Sequence, residues 1–356
     1  MKILHAADLH LDSPFSGRSA EQVAMLKEAL KKIPRQLAEL CKAESCDLVL
    51  LAGDLFDGPW SRDSFRQLYA ALEDMQVPVF ITPGNHDFIA PDSPYWSEVW
   101  PENVHIFTRP EMEAVALPEL DCRIYGAGYR SMDCAPLLED FRAEGEERYQ
   151  IAVLHGDPTT AQSPYSPISA DQLRKSGLHY AALGHVHKSG QLRAGQTLCA
   201  WPGCPMGRGF DELEAKGVLI VTLDDAVRAD FVALDTPRFF DYETDPGIDA
   251  RSALDRLLPA VGDEHFYRIT FTGEAEDLDL DALRQAFSQF PNLQLRDRTV
   301  PLRDIWGSAA EDTLEGVYFG LLKDALDNAD EEQKEILTLA ARISRQILDG
   351  QEVRLP

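Results

Sequence analysis

Asp8, His10, Asp54, Asn85, His155, His185 and His187 are residue types that ligate metal ions, and they fall in five short clusters. The clusters are Asp8-Leu9-His10, Gly53-Asp54, Gly84-Asn85-His86-Asp87, His155-Gly156 and Gly184-His185-Val186-His187. Those seven residues and His86 offer two carboxylates, one amide and five imidazoles. A single metal ion would leave several of these groups unused. Two ions sharing a bridging carboxylate would use nearly all of them. Two ions side by side suit in-line attack on phosphorus, so the pattern points to a two-metal hydrolase.

The run before each cluster is what must position it. Lys2-Ile3-Leu4-His5-Ala6-Ala7, Asp47-Leu48-Val49-Leu50-Leu51-Ala52, Val77-Pro78-Val79-Phe80-Ile81-Thr82, Ile151-Ala152-Val153-Leu154 and Tyr180-Ala181-Ala182-Leu183 are short and apolar. Each reads as a buried strand. Every cluster then follows a strand's carboxyl end, where open α/β sheets gather ligands. Helical patterns over about 20–44 and 62–75 lie between the first strands. Pro34 interrupts the first pattern and suits the first turn of a second helix. This order implies right-handed crossovers and a layered α/β core. Short strands follow Pro110, and residues 196–234 read as strands that close the sheet.

Beyond Asp235-Thr236-Pro237-Arg238 the grammar changes. A helix (249–258), a strand (266–271), a helix (279–289) and a strand (293–297) spell a small α/β domain. Two amphipathic helices end the chain. One carries Leu314, Val317, Tyr318, Leu321, Leu322 and Leu326 as a stripe; the other carries Ile336, Leu337, Ala340, Ile343 and Ile347. Three domains are expected: 1–235 with the clusters, 236–306 as a small α/β accessory or cap domain, and 307–356 as a helical hairpin tail.

The chain has 356 residues, 44% of them apolar, enough for a large core. No run approaches the ~20 apolar residues of a membrane span. Lys2 opens the first strand and Asp8 already belongs to the site, so no removable leader is expected. None of the six cysteines forms a Cys-x-x-Cys pair, which suits reduced thiols and a cytoplasmic protein. The net charge of −26 repels a polyanion and counts against strong independent DNA binding.

An Asp-x-His, a Gly-Asp, a Gly-Asn-His-Asp, a His-Gly and a Gly-His-x-His, in this order, resemble the signature of calcineurin-like metallophosphoesterases. The resemblance narrows to the SbcD-type DNA repair exonucleases, and within them to the YhaO-like branch. It rests on the opening Met1 to Phe15, on Gly53-Asp54-Leu55-Phe56-Asp57, on Gly126-Ala127-Gly128-Tyr129, and on the segment Trp201 to Gly209. It covers residues 1–235 strongly and the rest only in layout. It implies an α/β fold with a layered β-sandwich flanked by helices, and a phosphodiesterase acting on DNA ends beside an SbcC-type coiled-coil ATPase.

Residue by residue, the resemblance assigns Asp8, His10, Asp54 and His187 to one metal. It assigns Asp54, Asn85, His155 and His185 to the other, with Asp54 bridging. His86 takes the place of the family's catalytic histidine, and Asp87 is expected to orient it, a turn cap being the alternative. Two divalent ions are implied, manganese first, with iron or zinc also suited to this mixed donor set. Some relatives carry histidine at Asp57, next to DNA, which leaves a strand-holding role there open. Relatives dimerise through helices that here would be 62–75 and 92–99. In SbcD-like proteins the carboxyl-terminal region meets the ATPase coiled coil, so the two tail helices are the expected docking site.

Arg62, Lys188 and Arg208 stand near the clusters and could meet substrate phosphates, or could be ordinary solvated charges. Trp60 and Tyr129 suit packing better than base contact, and His5 suits a buried structural place. The leading reading is an SbcD-like nuclease. A small-molecule phosphodiesterase or phosphoprotein phosphatase on the same core is the alternative, favoured by the acidic charge. A catalytically dead scaffold would require lost ligands, and none is missing.

Overall fold

The computed structural model describes residues 1–247, 249–275, 278–301 and 305–350. The chain divides into two compact units, Met1–Phe240 and Asp241–Pro356. The first unit begins with four strands, β1 (Lys2–Ala6), β2 (Leu48–Ala52), β3 (Val79–Thr82) and β4 (Val104–Ile106). Six more follow: β5 (Glu113–Leu117), β6 (Cys122–Gly126), β7 (Tyr149–His155), β8 (Tyr180–Gly184), β9 (Gly190–Ala194) and β10 (Thr197–Trp201). The chain then returns to the first sheet with β11 (Gly217–Leu223) and β12 (Val227–Ala233). Two six-stranded sheets result, ordered β12-β11-β1-β2-β3-β4 and β5-β6-β7-β8-β10-β9.

β1 to β4 are mutually parallel, as are β6, β7 and β8. Parallel strands are buried on both faces, which is why their sequences are continuously apolar rather than alternating. Leu48, Leu50, Ala52 and Phe80 of the first sheet share one core with Ile124, Ile151, Val153 and Tyr180 of the second. The two sheets therefore face each other as a sandwich. Leu4, Val49 and Leu51 point the other way and are equally buried. The crossover helices α1 (Ala20–Ala43) and α2 (Arg62–Met75) carry the matching stripe, with Leu26, Leu30, Leu37, Leu68 and Leu72 buried. Short helices α3 (Pro94–Ser97) and α4 (Ala170–Lys175) complete this unit.

α1 corrects one expectation. It is a single helix with Pro34 inside it, not two helices meeting there. Proline removes one backbone donor and disfavours a helix interior. Here Ile33, Pro34, Leu37 and Ala38 are all buried, and tertiary packing outweighs that local cost. Ser19 closes the amino end with a capping box to Gln22.

From the unit boundary onward, β13 (Phe239–Thr244), β14 (Phe266–Phe271) and β16 (Leu293–Asp297) form a three-stranded sheet. β15 (Glu274–Ala275) pairs with β17 (Val300–Pro301), and α5 (Ala250–Leu257) and α6 (Leu280–Ala286) fill the connections. The boundary expected at residue 306 adjoins residues 302–304, which lie outside the described ones. Helices α7 (Leu314–Asp327) and α8 (Glu331–Leu348) end the described chain. They pack through Phe319, Ala341 and Leu322 with Ile305 and Trp306. No helix among the described residues is long and apolar enough to cross a membrane, and all six cysteines are free.

Candidate metal centre

Five strands deliver the five clusters to one place. β1, β2 and β3 come from one sheet and β7 and β8 from the other, and each ends at or just before its polar residues. Asp8, His10 and His187 bring ligating atoms within 4.8 Å of one another, as do Asp8, Asp54 and His155. His10 Nε2 faces His187 Nε2 at 3.0 Å. His187 Nε2 lies 3.8 Å from Asp8 Oδ1. Asn85 Oδ1 meets His155 Nε2 at 2.9 Å and His185 Nδ1 at 3.2 Å. One oxygen of Asp54, Oδ2, stands between the two groups, 3.8 Å from His10 Nε2 and 3.4 Å from His155 Nε2.

The backbone is bent to make this possible. Asp8, His10, Asp54 and His185 have φ of 53°, 46°, 51° and 92°. Left-handed non-glycine residues are strained, and such strain gathers at functional sites. Two glycines allow the close approach. A β-carbon on Gly53 would fall 2.4 Å from His155 Nδ1, and one on Gly84 would fall 2.2 Å from Asp54 Oδ1.

Burial and mutual charge set the protonation. Burial pushes His10 down to about 3 and His185 to about 4, so both rings are neutral and keep a lone pair. Burial would raise Asp54, but the imidazoles of His155, His10 and His86 outweigh it and hold it below the usual carboxylate range. Asp8 is raised to about 6, first by burial and in smaller part by Asp54. His155 goes the other way: burial opposes its charge, yet Asp54 and Asp8 carry it to about 9. His10 Nδ1 is buried without a hydrogen-bond partner. Imidazoles, an amide oxygen and two carboxylates converging in a buried spot fit divalent cations of borderline softness, with no thiolate among them.

His86 stands apart from this set. Its backbone N–H donates to Asp54 Oδ1 at 2.9 Å, and its half-exposed ring reaches Asp57 Oδ1 through Nδ1 at 3.0 Å. The Asp57 contact raises the His86 pKa. Asp57 is itself fixed by the Ser13 hydroxyl at 2.6 Å and by Arg208 at 3.3 Å. The expectation that Asp87 orients this ring is therefore corrected. Asp87 is buried and accepts from the backbone N–H groups of Leu55, Phe56 and Gly84 and from the Tyr95 hydroxyl. Its lone pairs are committed to tying the β2 and β3 loops together, which is the turn-cap reading.

The three candidate cations separate. Arg208 joins the cluster, but its guanidinium spans Asp57 and Glu212. Lys188 borders a cavity of about 480 Å³ with Pro202, Phe210, Lys216 and Phe231. Arg62 is highly exposed on α2 and lies 3.9 Å from Glu98. His5 is buried between the Tyr180 hydroxyl and the Leu183 carbonyl. Tyr129 is buried edge-on to His155, and the Trp60 indole donates to Asp92 O. Sequence reading missed Glu212, whose carboxylate accepts from His187 Nδ1 at 2.6 Å. Its only sequence signal is its place four residues after Arg208.

Fold and donor set together define a metal-dependent hydrolase of phosphoester bonds. The chain belongs to the calcineurin-like phosphoesterase family, whose model matches residues 1–189. It is similar to the metallophosphoesterase YhaO of Bacillus subtilis strain 168, at 35% identity over 239 residues, covering 62% of this chain and 57% of that protein. It is also similar to the D subunit of nuclease SbcCD from the same strain, at 26% over 270 residues, covering 62% and 66%. The chain thus spans less than two thirds of the length of these relatives. A dimetal phosphatase from Danio rerio superimposes with a TM-score of 0.43 at 12% identity, over 64% of this chain and 95% of that one.

Proposed function

We propose that this protein is a two-metal phosphodiesterase acting on DNA ends in the cytoplasm, beside an SbcC-like coiled-coil ATPase. The observation that carries the reading is the position of Asp54 Oδ2 between two groups of ligating atoms. Asp8, His10, Asp54 and His187 would hold one ion, and Asp54, Asn85, His155 and His185 the other. The chemistry that such ions supply when bound is Lewis acidity toward phosphoryl oxygens and a water of lowered pKa. Manganese is the ion we expect first.

His86 supplies what the ligands cannot. Its ring is open to solvent on one side, carries a raised pKa and is held through Nδ1 by Asp57. Nε2–H is then free to steady a phosphoryl oxygen or to protonate the leaving oxygen. Asp54 serves twice, because its Oδ1 also anchors the His86 backbone.

The DNA and ATPase parts rest on the likeness to SbcD subunits and on α7, where Leu314, Val317 and Leu321 form an exposed apolar line. An i, i+3, i+7 line is what helix-in-groove docking uses. Exposed Trp96 and Val99 near α3 support a homodimer face. The charge of −26 favours the alternative, a small-molecule phosphodiesterase or phosphoprotein phosphatase.

One assay separates these readings. Manganese-loaded protein is given end-labelled duplex DNA, single-stranded DNA and bis-p-nitrophenyl phosphate in parallel. Cleavage of DNA, with weak affinity that falls steeply with salt, is expected. Fast hydrolysis of the small diester with every DNA untouched would promote the alternative.

A further inference from the structure

We propose that Glu212 is a positioning residue for His187, fixing which ring nitrogen that imidazole turns toward the centre. The proposal rests on the two-metal reading above. His187 is the donor most in need of outside support. It lies three residues past the end of β8, and its side chain is 25% exposed, whereas His155 ends β7 and is fully buried. The strand alone orients His155, and the neutral Ala52 carbonyl suffices on its Nδ1, 2.9 Å away. Nothing comparable in the backbone holds the His187 ring.

Glu212 provides the hold. It is buried, and both its oxygens are engaged. Oε1 accepts from His187 Nδ1 at 2.6 Å, and Oε2 accepts from the Arg208 backbone N–H at 2.7 Å. The Arg208 guanidinium reaches Oε1 at 3.1 Å and Asp57 at 3.3 Å; its Nη2 also stands 3.1 Å from His187 Nδ1, where the shorter 2.6 Å contact to the carboxylate claims the proton. A carboxylate on Nδ1 keeps the proton there, so the Nε2 lone pair is the one that faces His10 and Asp8. Arg208 prevents the carboxylate from swinging away and links it to the carboxylate that holds His86. In this arrangement Arg208 is a strut between two carboxylates rather than a free phosphate ligand.

The test is a titration of metal-stripped, full-length protein with Mn²⁺, following free ion by electron paramagnetic resonance. Wild-type protein should bind two equivalents. Glu212→Ala should bind one as before and the other ~10–100-fold more weakly. Glu212→Gln, which keeps an acceptor oxygen, should lie between them. The metal-free variants should still fold, melting below the wild type because Glu212 also accepts from Arg208, so the loss read out is that of ion affinity in folded protein. If Glu212→Ala does not fold, Glu212→Gln decides alone. Two equivalents at wild-type affinity in the folded variants would overturn the role of Glu212 and leave the two-metal reading standing. Fewer than two in the wild type would overturn that reading, and this proposal with it.

Discussion

The strand ends of the Met1–Phe240 unit and helix α7 of the other unit break the usual burial rule in opposite directions. Asp8, His10, Asp54 and His155 are polar and at most 1% exposed. Leu314 and Leu321 are apolar and 90% and 66% exposed. Buried ionisable groups are costly unless a partner compensates them, and the imidazoles and carboxylates here are arranged around one another for that purpose. An apolar line in water is likewise costly unless something covers it. On the proposed reading the two exceptions separate two tasks: chemistry where polar groups are buried, and association where apolar ones are left out. Changes at the first should alter metals and turnover. Changes at the second should alter neither.

The largest effect is expected at Asp54. Asp54→Asn should lose both ions at concentrations that saturate the wild type, measured as metal content after dialysis, and all measurable turnover with them. Near-normal metal content would remove the bridging role. His86→Ala comes next. It should keep both ions and lose ~10²–10⁴-fold in diester turnover, the usual contribution of an acid–base group. Metal loss in this variant would place His86 among the ligands.

A smaller effect concerns pH. Asp57 raises the His86 pKa above its ordinary value of 6.5. The protonated ring therefore persists below that raised value, and an acid role is lost as pH rises through it. Asp57→Asn removes the largest raising contact, so the alkaline limb of the rate profile should move to lower pH. An unmoved limb would detach Asp57 from the mechanism. The smallest intrinsic effect is expected on α7. Leu321→Glu should leave metal content and diester hydrolysis unchanged and shift stability by no more than about 0.5 kcal/mol. It should still abolish co-purification with an SbcC-like ATPase. Loss of metals in this variant would erase the contrast between the two regions.

Much of this was legible in the sequence for a physical reason. A parallel strand buried on both faces is a short apolar run, and polar residues at its carboxyl end have few places to go. That logic located β1, β2, β3, β7 and β8 with the polar clusters at their carboxyl ends. It named Asp87 as the partner of His86, whereas the ring reaches Asp57. Both lie near the ring in sequence or space, and only the return of the β2 loop beside β1, through the Leu11–Phe56 bridge, decides. Glu212 was invisible because its link to His187 spans 25 residues of loop and strand. Pro34 misled because local propensity argues for a break that burial of Ile33 and Leu37 overrides. On α7 the sequence stripe is real but split: Leu322 turns toward the packed cluster, while Leu314 and Leu321 remain outside it.

The central claim is that one carboxylate, Asp54, holds two ions together. Anomalous diffraction from crystals of the manganese-loaded protein tests it most directly. The account predicts two peaks ~3.5–4 Å apart, with Asp54 touching both, Asp8, His10 and His187 around one, and Asn85, His155 and His185 around the other. A single peak, or two peaks of which Asp54 touches only one, would contradict it.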